Sequence, residues 1–222
     1  MSVLAHEGTY PILYGSHAVP VGSGHRPGYL ARPDQAGQFP AVLVLPDAGL
    51  TSHHKDLSRR LARHGFASVA IDLPQQLSDA IAAVEEALDF VLVNDWAIGG
   101  RVGVLGVGNG GSAGLVAGAD QPAIRALALV SAHLEDEGPV AASVQRLAVP
   151  VLGLYGADEP PGSGIDDGRI GTGTFVVYHG VGSGFMDDGS PRYDPAASAD
   201  AYRRLIEFFR QVLPAPQLER MG

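Results

Sequence analysis

The chain has 222 residues, 45% of them hydrophobic and 18% charged, with a formal net charge of -9, which suits a soluble globular domain with one substantial core. The acidic balance argues against a nucleic-acid partner, and with Lys55 the only lysine there is no polybasic patch for a membrane surface. The absence of cysteine removes disulfides, thiolate catalysis and cysteine-held zinc together.

The opening "MSVLAHEGTYPIL" has no basic start and no long apolar run, so no signal peptide is expected. No apolar stretch is long enough to span a bilayer, and a cytoplasmic location is the default expectation. Up to residue 40, "YPILYGSHAVPVGSGHRPGYLARP" reads as extended segments broken by Gly and Pro. "PAVLVLPD" (40–47) is a continuous apolar run of the kind a strand covered on both faces shows. "SHHKDLSRRLARHG" (52–65) carries leucines at helical spacing and ends on Gly65, a natural residue just past a helix. "FASVAIDLP" predicts another buried strand, and "SDAIAAVEEALDFVLVNDW" (78–96) a long amphipathic helix capped by Ser78. Strand "RVGVLGV" leads through a Gly-rich turn into a helix that runs to about Gly118. "AIRALALVSA" and "VPVLGLYGA" are two more strands, with a short helix near 138–147 between them. "GTFVVYHGV" is the last strand, and "PAASADAYRRLIEFFRQVL" (195–213) the closing helix, with Leu205, Phe208 and Phe209 toward the core.

Strands and helices alternating through short connections imply one α/β domain over 1–222, a mostly parallel sheet with helices on both faces. In such sheets the functional crevice lies at the carboxyl ends of the strands. That selects the segments 46–51, 72–76, 108–112, 131–135, 158–164 and 180–188.

The third strand-to-helix junction is the most telling. "LGVGNGG" (105–111) has the setting of a nucleophile elbow, a strand, a sharp glycine turn and a helix. The elbow pattern G-x-nucleophile-x-G reads Gly106-Val107-Gly108-Asn109-Gly110, so a glycine holds the nucleophile's place.

At these segments the chain resembles the dienelactone hydrolase family of α/β hydrolases, from about Val19 to Leu213. "GYLARP" resembles the family's N-terminal hairpin. "PAVLVLPDAGLTSHHKDLSRRLARHGFASVAIDL" resembles its strand, oxyanion loop, helix and next strand. "RVGVLGVGNGG" is similar to the family's G-x-C-x-G-G elbow, "VPVLGLYGADE" to the strand carrying the triad acid, and "VVYHGVGSGFMDDGSPRYDPAASADAYRRLIEFF" to the segment whose G-x-G-H-G-F supplies the catalytic histidine. The resemblance implies an α/β-hydrolase fold, compact and without a cap.

The departures from that pattern bear on activity. Gly108 aligns with the nucleophile and Ser183 with the histidine. The acid survives in type as Asp158 or Glu159, Glu159 favoured by position and Asp158 by residue type. The oxyanion loop, H-E-x-x-G-L in the family, reads "PDAGL", one residue shorter. Only "LPQQL" joins the strand ending at Asp72 to the next helix, where the family has a long pocket-forming insertion. "PPGSGIDDGRIG" replaces a family helix and is too rich in Gly and Pro to be one.

Some chemistry can still be nominated. The backbone N–H groups of Asn109 and Gly110 open a helix and suit an anion or a carbonyl oxygen; equally, the glycines allow tight strand–helix packing. Ser112 lies about one turn on, within reach of the crevice or turned into the helix surface. His133 is the best-placed base after "LALVSA", or a solvated loop histidine. His179 is expected to point away. Asp47 sits in the oxyanion loop, as an acid–base partner for Glu159 or as a cap on the following helix. Metal is disfavoured: His53 and His54 are adjacent, and helix ligand pairs want a three- or four-residue spacing, while Asp56, Asp187 and Asp188 complete no obvious set. Gly106, Gly108 and Gly111 have the spacing of G-x-G-x-x-G, but the acidic residue a dinucleotide site needs is misplaced, at Glu135. No cofactor is expected.

Three readings stay open. The first is a pseudoenzyme that binds a small molecule at the elbow crevice. The second is an active hydrolase, lyase or cyclase using Asp47, Glu159 or His133. The third is a structural or partner-binding subunit. A homo-oligomer is left open.

Overall fold

The computed structural model of the chain describes residues 8–22, 24–134, 137–158, 170–171 and 173–213. Eight strands form one sheet in the order β1-β2-β4-β3-β5-β6-β7-β8. β1 (Ile12–Val21) and β2 (Gly24–Pro33) are an antiparallel hairpin at one edge, and β2 runs antiparallel to β4 (Ala67–Ile71). From β4 onward, through β3 (Phe39–Leu45), β5 (Ala97–Val107), β6 (Ile124–Val130), β7 (Val151–Gly156) and β8 (Gly173–Tyr178), every pairing is parallel.

The period of two along each strand divides the core. Leu43 and Leu45 of β3 face one core cluster, and Val42 and Val44 face the other. α2 (Leu77–Val93), α3 (Asn109–Asp120) and α4 (Gly138–Arg146) cover the first face; α1 (Ser52–Arg63) and α5 (Pro195–Val212) cover the second. Burial on both faces is why β3 is apolar throughout and β4 is so but for the buried Ser68. At Gly103 a side chain would meet Phe209 at 2.7 Å, so the glycine lets α5 lie close to the sheet.

Element boundaries follow the sequence with one clear correction. Ser78 does not cap α2. The helix begins one residue earlier, behind Gln76, and the Ser78 hydroxyl turns to its neighbour Asp79 at 3.3 Å. Gly65 has φ +94, as expected for the residue that ends α1. Among the described residues no helix is long and apolar enough to cross a membrane.

Candidate functional site at the carboxyl ends of the strands

Parallel strands deliver their following loops to one edge. Asp47 arrives after β3, Gly108 after β5, Ser131 to His133 after β6, Asp158 after β7 and Val181 to Asp188 after β8.

The elbow itself is intact as backbone. Gly108 has φ 51 and ψ -122, a conformation that L side chains rarely adopt. Its N–H donates to the Val130 carbonyl at 3.0 Å, which fixes the turn against β6. A side chain on Gly106 would strike Gly111 and the Gly110 carbonyl, and one on Gly110 would strike Leu45 and the Pro46 carbonyl. These two glycines allow β5, α3 and the end of β3 to touch backbone to backbone.

Asp47 fills the space above the turn. A Cβ built on Gly108 would lie 2.5 Å from Asp47 Cγ and 2.9 Å from its Cβ. Asp47 Oδ1 accepts the Asn109 N–H at 2.8 Å. No side chain of its own caps α3. The carboxylate from another loop caps it instead, where the first orphan donors and the positive end of the helix dipole favour an anion. The expectation that Asp47 caps the following helix is thus corrected. Thr51 is the residue preceding α1, and Asp47 reaches across to α3.

Ser183, expected from the resemblance at a histidine's place, is engaged by a neighbouring side chain. Ser183 Oγ accepts from Arg192 Nη1 at 3.2 Å. The surrounding loop is firmly seated: Phe185 is fully buried, Met186 is buried, and the Phe185 carbonyl accepts the Asp194 N–H at 3.1 Å. Asp158 is held through its backbone, donating N–H to the Val181 carbonyl at 3.1 Å, while its exposed carboxylate has no hydrogen-bond partner among the described residues. A cavity of ≈ 450 Å³ lies there, lined by Asp158, Gly182, Arg192, Tyr193 and Asp194 among others. Glu159, the other candidate acid, lies outside the described residues.

The remaining nominees separate. Ser112 is buried and donates its hydroxyl to the His133 carbonyl at 2.8 Å, so it ties α3 to the β6 loop and does not face the crevice as a reagent. The His133 ring is exposed, as is His179. Gly110 serves packing, as described. Ser131, which sequence reasoning passed over, is the one non-glycine among the described residues with positive φ, at 49. It is buried directly after β6, against the elbow.

His53 and His54 are buried. They expose only 7% and 6%, because the β8 loop covers the start of α1. His53 Nδ1 is 4.0 Å from Asp187 Oδ1. The Thr51 N–H donates to His54 Nδ1 at 3.3 Å, which makes His54 a capping residue. Burial lowers the pKa of both rings, against the attraction of Asp187, and that of His54 falls to about 4. Among the described residues no three His, Asp or Glu side chains converge as a metal set.

This arrangement of loops has relatives. The sequence profile of the dienelactone hydrolase family matches residues 27–89 and 73–213. The chain belongs to the dienelactone hydrolase family. A Methylorubrum extorquens protein named "Putative carboxymethylenebutenolidase" is 31% identical over 238 residues, covering 90% of this chain and 81% of its own. An Escherichia coli K12 protein of the same name is 27% identical, covering 90% of this chain and 88% of its own. Among solved structures, a "Putative Dienelactone Hydrolase" from Klebsiella pneumoniae superposes with a TM-score of 0.81 at 23% identity, over 90% of this chain and 99% of that one. The superposition establishes the α/β-hydrolase fold.

Proposed function

We propose that this family member carries out no nucleophile-dependent acyl transfer and that its crevice binds a small polar molecule. The observation behind this reading is Asp47, whose carboxylate stands in the volume a side chain at 108 would need. Acyl transfer requires a nucleophile, a base within hydrogen-bond reach and donors for the oxyanion. Gly108 cannot attack. Ser183 cannot act as the base, and its hydroxyl is engaged by Arg192. The Asn109 N–H, which would donate to the oxyanion, already donates to a carboxylate. Two negative charges about 3 Å apart repel by roughly 5 kcal/mol at an effective dielectric constant of about 20. Asp47 therefore opposes the charge that the hole exists to stabilise. Loss of triad members leaves only about 10³–10⁴-fold over water in proteins that keep an open hole, and here the hole is filled.

The cavity bounded by Asp158, Arg192 and Tyr193 supports this reading. A guanidinium and a carboxylate across one small cavity suit a molecule with both an acidic and a donor group.

A second reading rests on the same residue. Asp47 is exposed and held in register with the elbow, so a hydrolase or lyase using it as general base is the alternative. Relatives carry the name "Putative carboxymethylenebutenolidase". Incubation of the purified chain with an aryl fluorophosphonate, followed by intact mass measurement, tests the first reading. An unchanged mass is expected. A stoichiometric adduct on any crevice residue would overturn it.

A further inference from the structure

The loop that carries Asp47 ends in an unusual helix cap. Thr51 precedes α1, and three residues on stands His54, at the spacing where a capping box places Glu or Gln. The Thr51 N–H can only donate, so His54 Nδ1 is its acceptor at 3.3 Å; the Thr51 hydroxyl lies 2.9 Å from the same nitrogen. The ring proton then sits on Nε2, which is buried and has no partner among the described residues. A glutamate in this place keeps its acceptor through neutral and mildly acid pH. A histidine loses it on protonation.

The surroundings set the balance. His54 faces His53, Asp187 of the β8 loop and Asp47 itself; His53 faces Asp187, Asp188, Asp56 and Arg60. The two rings meet nearly edge-on with centroids 5.4 Å apart. Burial and the neighbouring ring oppose a charge on His54, while the carboxylates favour one, and burial prevails. The first turn of α1 has no acidic residue to offset the helix dipole, which also resists a cation there.

We propose that the Thr51–His54 contact is an acid-operated latch on residues 47–51: protonation of His54 releases the Thr51 N–H, loosens the loop and lifts Asp47 from the Asn109 N–H. The inference rests on the reading of Asp47 as the occupant of the elbow. Only three residues separate Asp47 from Thr51, so the cap and Asp47 belong to one short segment. Among the described residues a second tether of the loop is the Leu50 N–H, donated to Asp72 Oδ1 at 3.0 Å. It sits beside Thr51, between the cap and Asp47, so opening the latch requires this bond to give as well, and the Leu50 amide should respond together with those of Thr51 and Asn109.

The test is amide and histidine-ring NMR on the whole chain between about pH 7.5 and about pH 3.5, on the parent, His54→Gln and His53→Gln. At the upper pH the His54 ring should be neutral with its proton on Nε2. On acidification the Thr51 and Asn109 amides should shift together with one midpoint below the ordinary histidine value of 6.5. Their solvent exchange, corrected for its intrinsic pH dependence, should rise at least about tenfold, while amides of β3 stay protected. His54→Gln keeps a neutral acceptor and should hold both amides protected at the lower pH; His53→Gln should retain the transition. The latch is overturned if Asn109 stays fixed while Thr51 moves, or if His54→Gln behaves as the parent does. It is also overturned if the parent ring carries its proton on Nδ1, a readout that needs no variant to fold. Ester turnover near neutral pH, where the latch is closed, reports separately on the reading of the elbow.

Discussion

Asp47 and Gly108 divide the volume of one side chain between them. The glycine contributes the strained backbone of the elbow, φ 51 and ψ -122, and the aspartate contributes the atoms that stand over it. Either residue alone has an ordinary explanation. Together they account for a sharp strand-to-helix turn whose central residue has no room for a side chain.

A double-mutant cycle measures this relationship. Gly108→Ala in the parent meets both left-handed strain, about 1–2 kcal/mol, and overlap with Asp47. In an Asp47→Gly background only the strain remains. Urea denaturation should show Gly108→Ala costing about 2 kcal/mol more in the parent than in that background. Simple additivity would mean that the two residues do not share the space.

Gly106 and Gly110 fail for a different reason. The atoms that a methyl group would meet are backbone: Gly110 O at 2.6 Å from a Cβ on Gly106, and Pro46 O at 2.6 Å from one on Gly110. Neither can move without parting β3, β5 and α3. Each alanine substitution should cost more than about 3 kcal/mol or prevent folding. Gly99→Ala, with nothing within 4 Å, should change stability by less than about 1 kcal/mol in the same assay.

Much of this fold was legible in the sequence, because β3, β4 and β6 are buried runs bounded by helical patterns, and that pattern belongs to a doubly covered parallel sheet. The site was legible as a set of loops and not as a set of contacts. Asp47 and Asn109 lie 62 residues apart, and no local spacing predicts that one caps the helix begun by the other. A cap on the next helix was the local expectation for Asp47, and Thr51 took that role. Ser112 looked reachable because the helix period places it near the crevice, but its hydroxyl is claimed by the His133 carbonyl. His54 carried a readable signal, the three-residue spacing from Thr51, obscured because histidine is not the usual closing residue of a capping box. The bond from Arg192 to Ser183 depends on the path of a loop, which residue type alone does not give.

Acid should weaken the fold through His54. Its folded-state pKa is lowered to about 4 from 6.5, chiefly by burial, so the unfolded chain takes up the proton first as pH falls. The contribution is complete above 6.5, declines between 6.5 and about 4, and is constant below. The full loss is on the order of 3 kcal/mol. Stability measured by urea across this range should slope less in His54→Gln than in the parent.

The far edge of the sheet offers an independent case. Tyr178 of β8 donates to Asp200 Oδ2 at 2.9 Å, and Arg204 and Arg203 of α5 bond the same carboxylate. Burial works against the Asp200 charge, but the hydrogen bonds from Arg204, Arg203 and Tyr178 outweigh it and bring its pKa to about 2. This stabilisation is present above the unfolded value of 3.8 and lost as pH falls through about 2. The group is one-third exposed, so solvent screening holds the effect below about 1 kcal/mol. Tyr178→Phe should cost about 1 kcal/mol at neutral pH and raise the Asp200 titration midpoint, read by carboxyl carbon NMR.

The most direct measurement is hydrolysis of an activated aryl ester at neutral pH by the purified parent, beside a buffer blank and an Asp47→Gly, Gly108→Ser, Ser183→His variant. The account predicts a parent rate equal to the blank, with any gain confined to the variant, in which the filled volume is cleared and the nucleophile and base are restored. Turnover by the parent above the blank, abolished by Asp47→Ala, would contradict it and make Asp47 the acid–base residue of a working hydrolase.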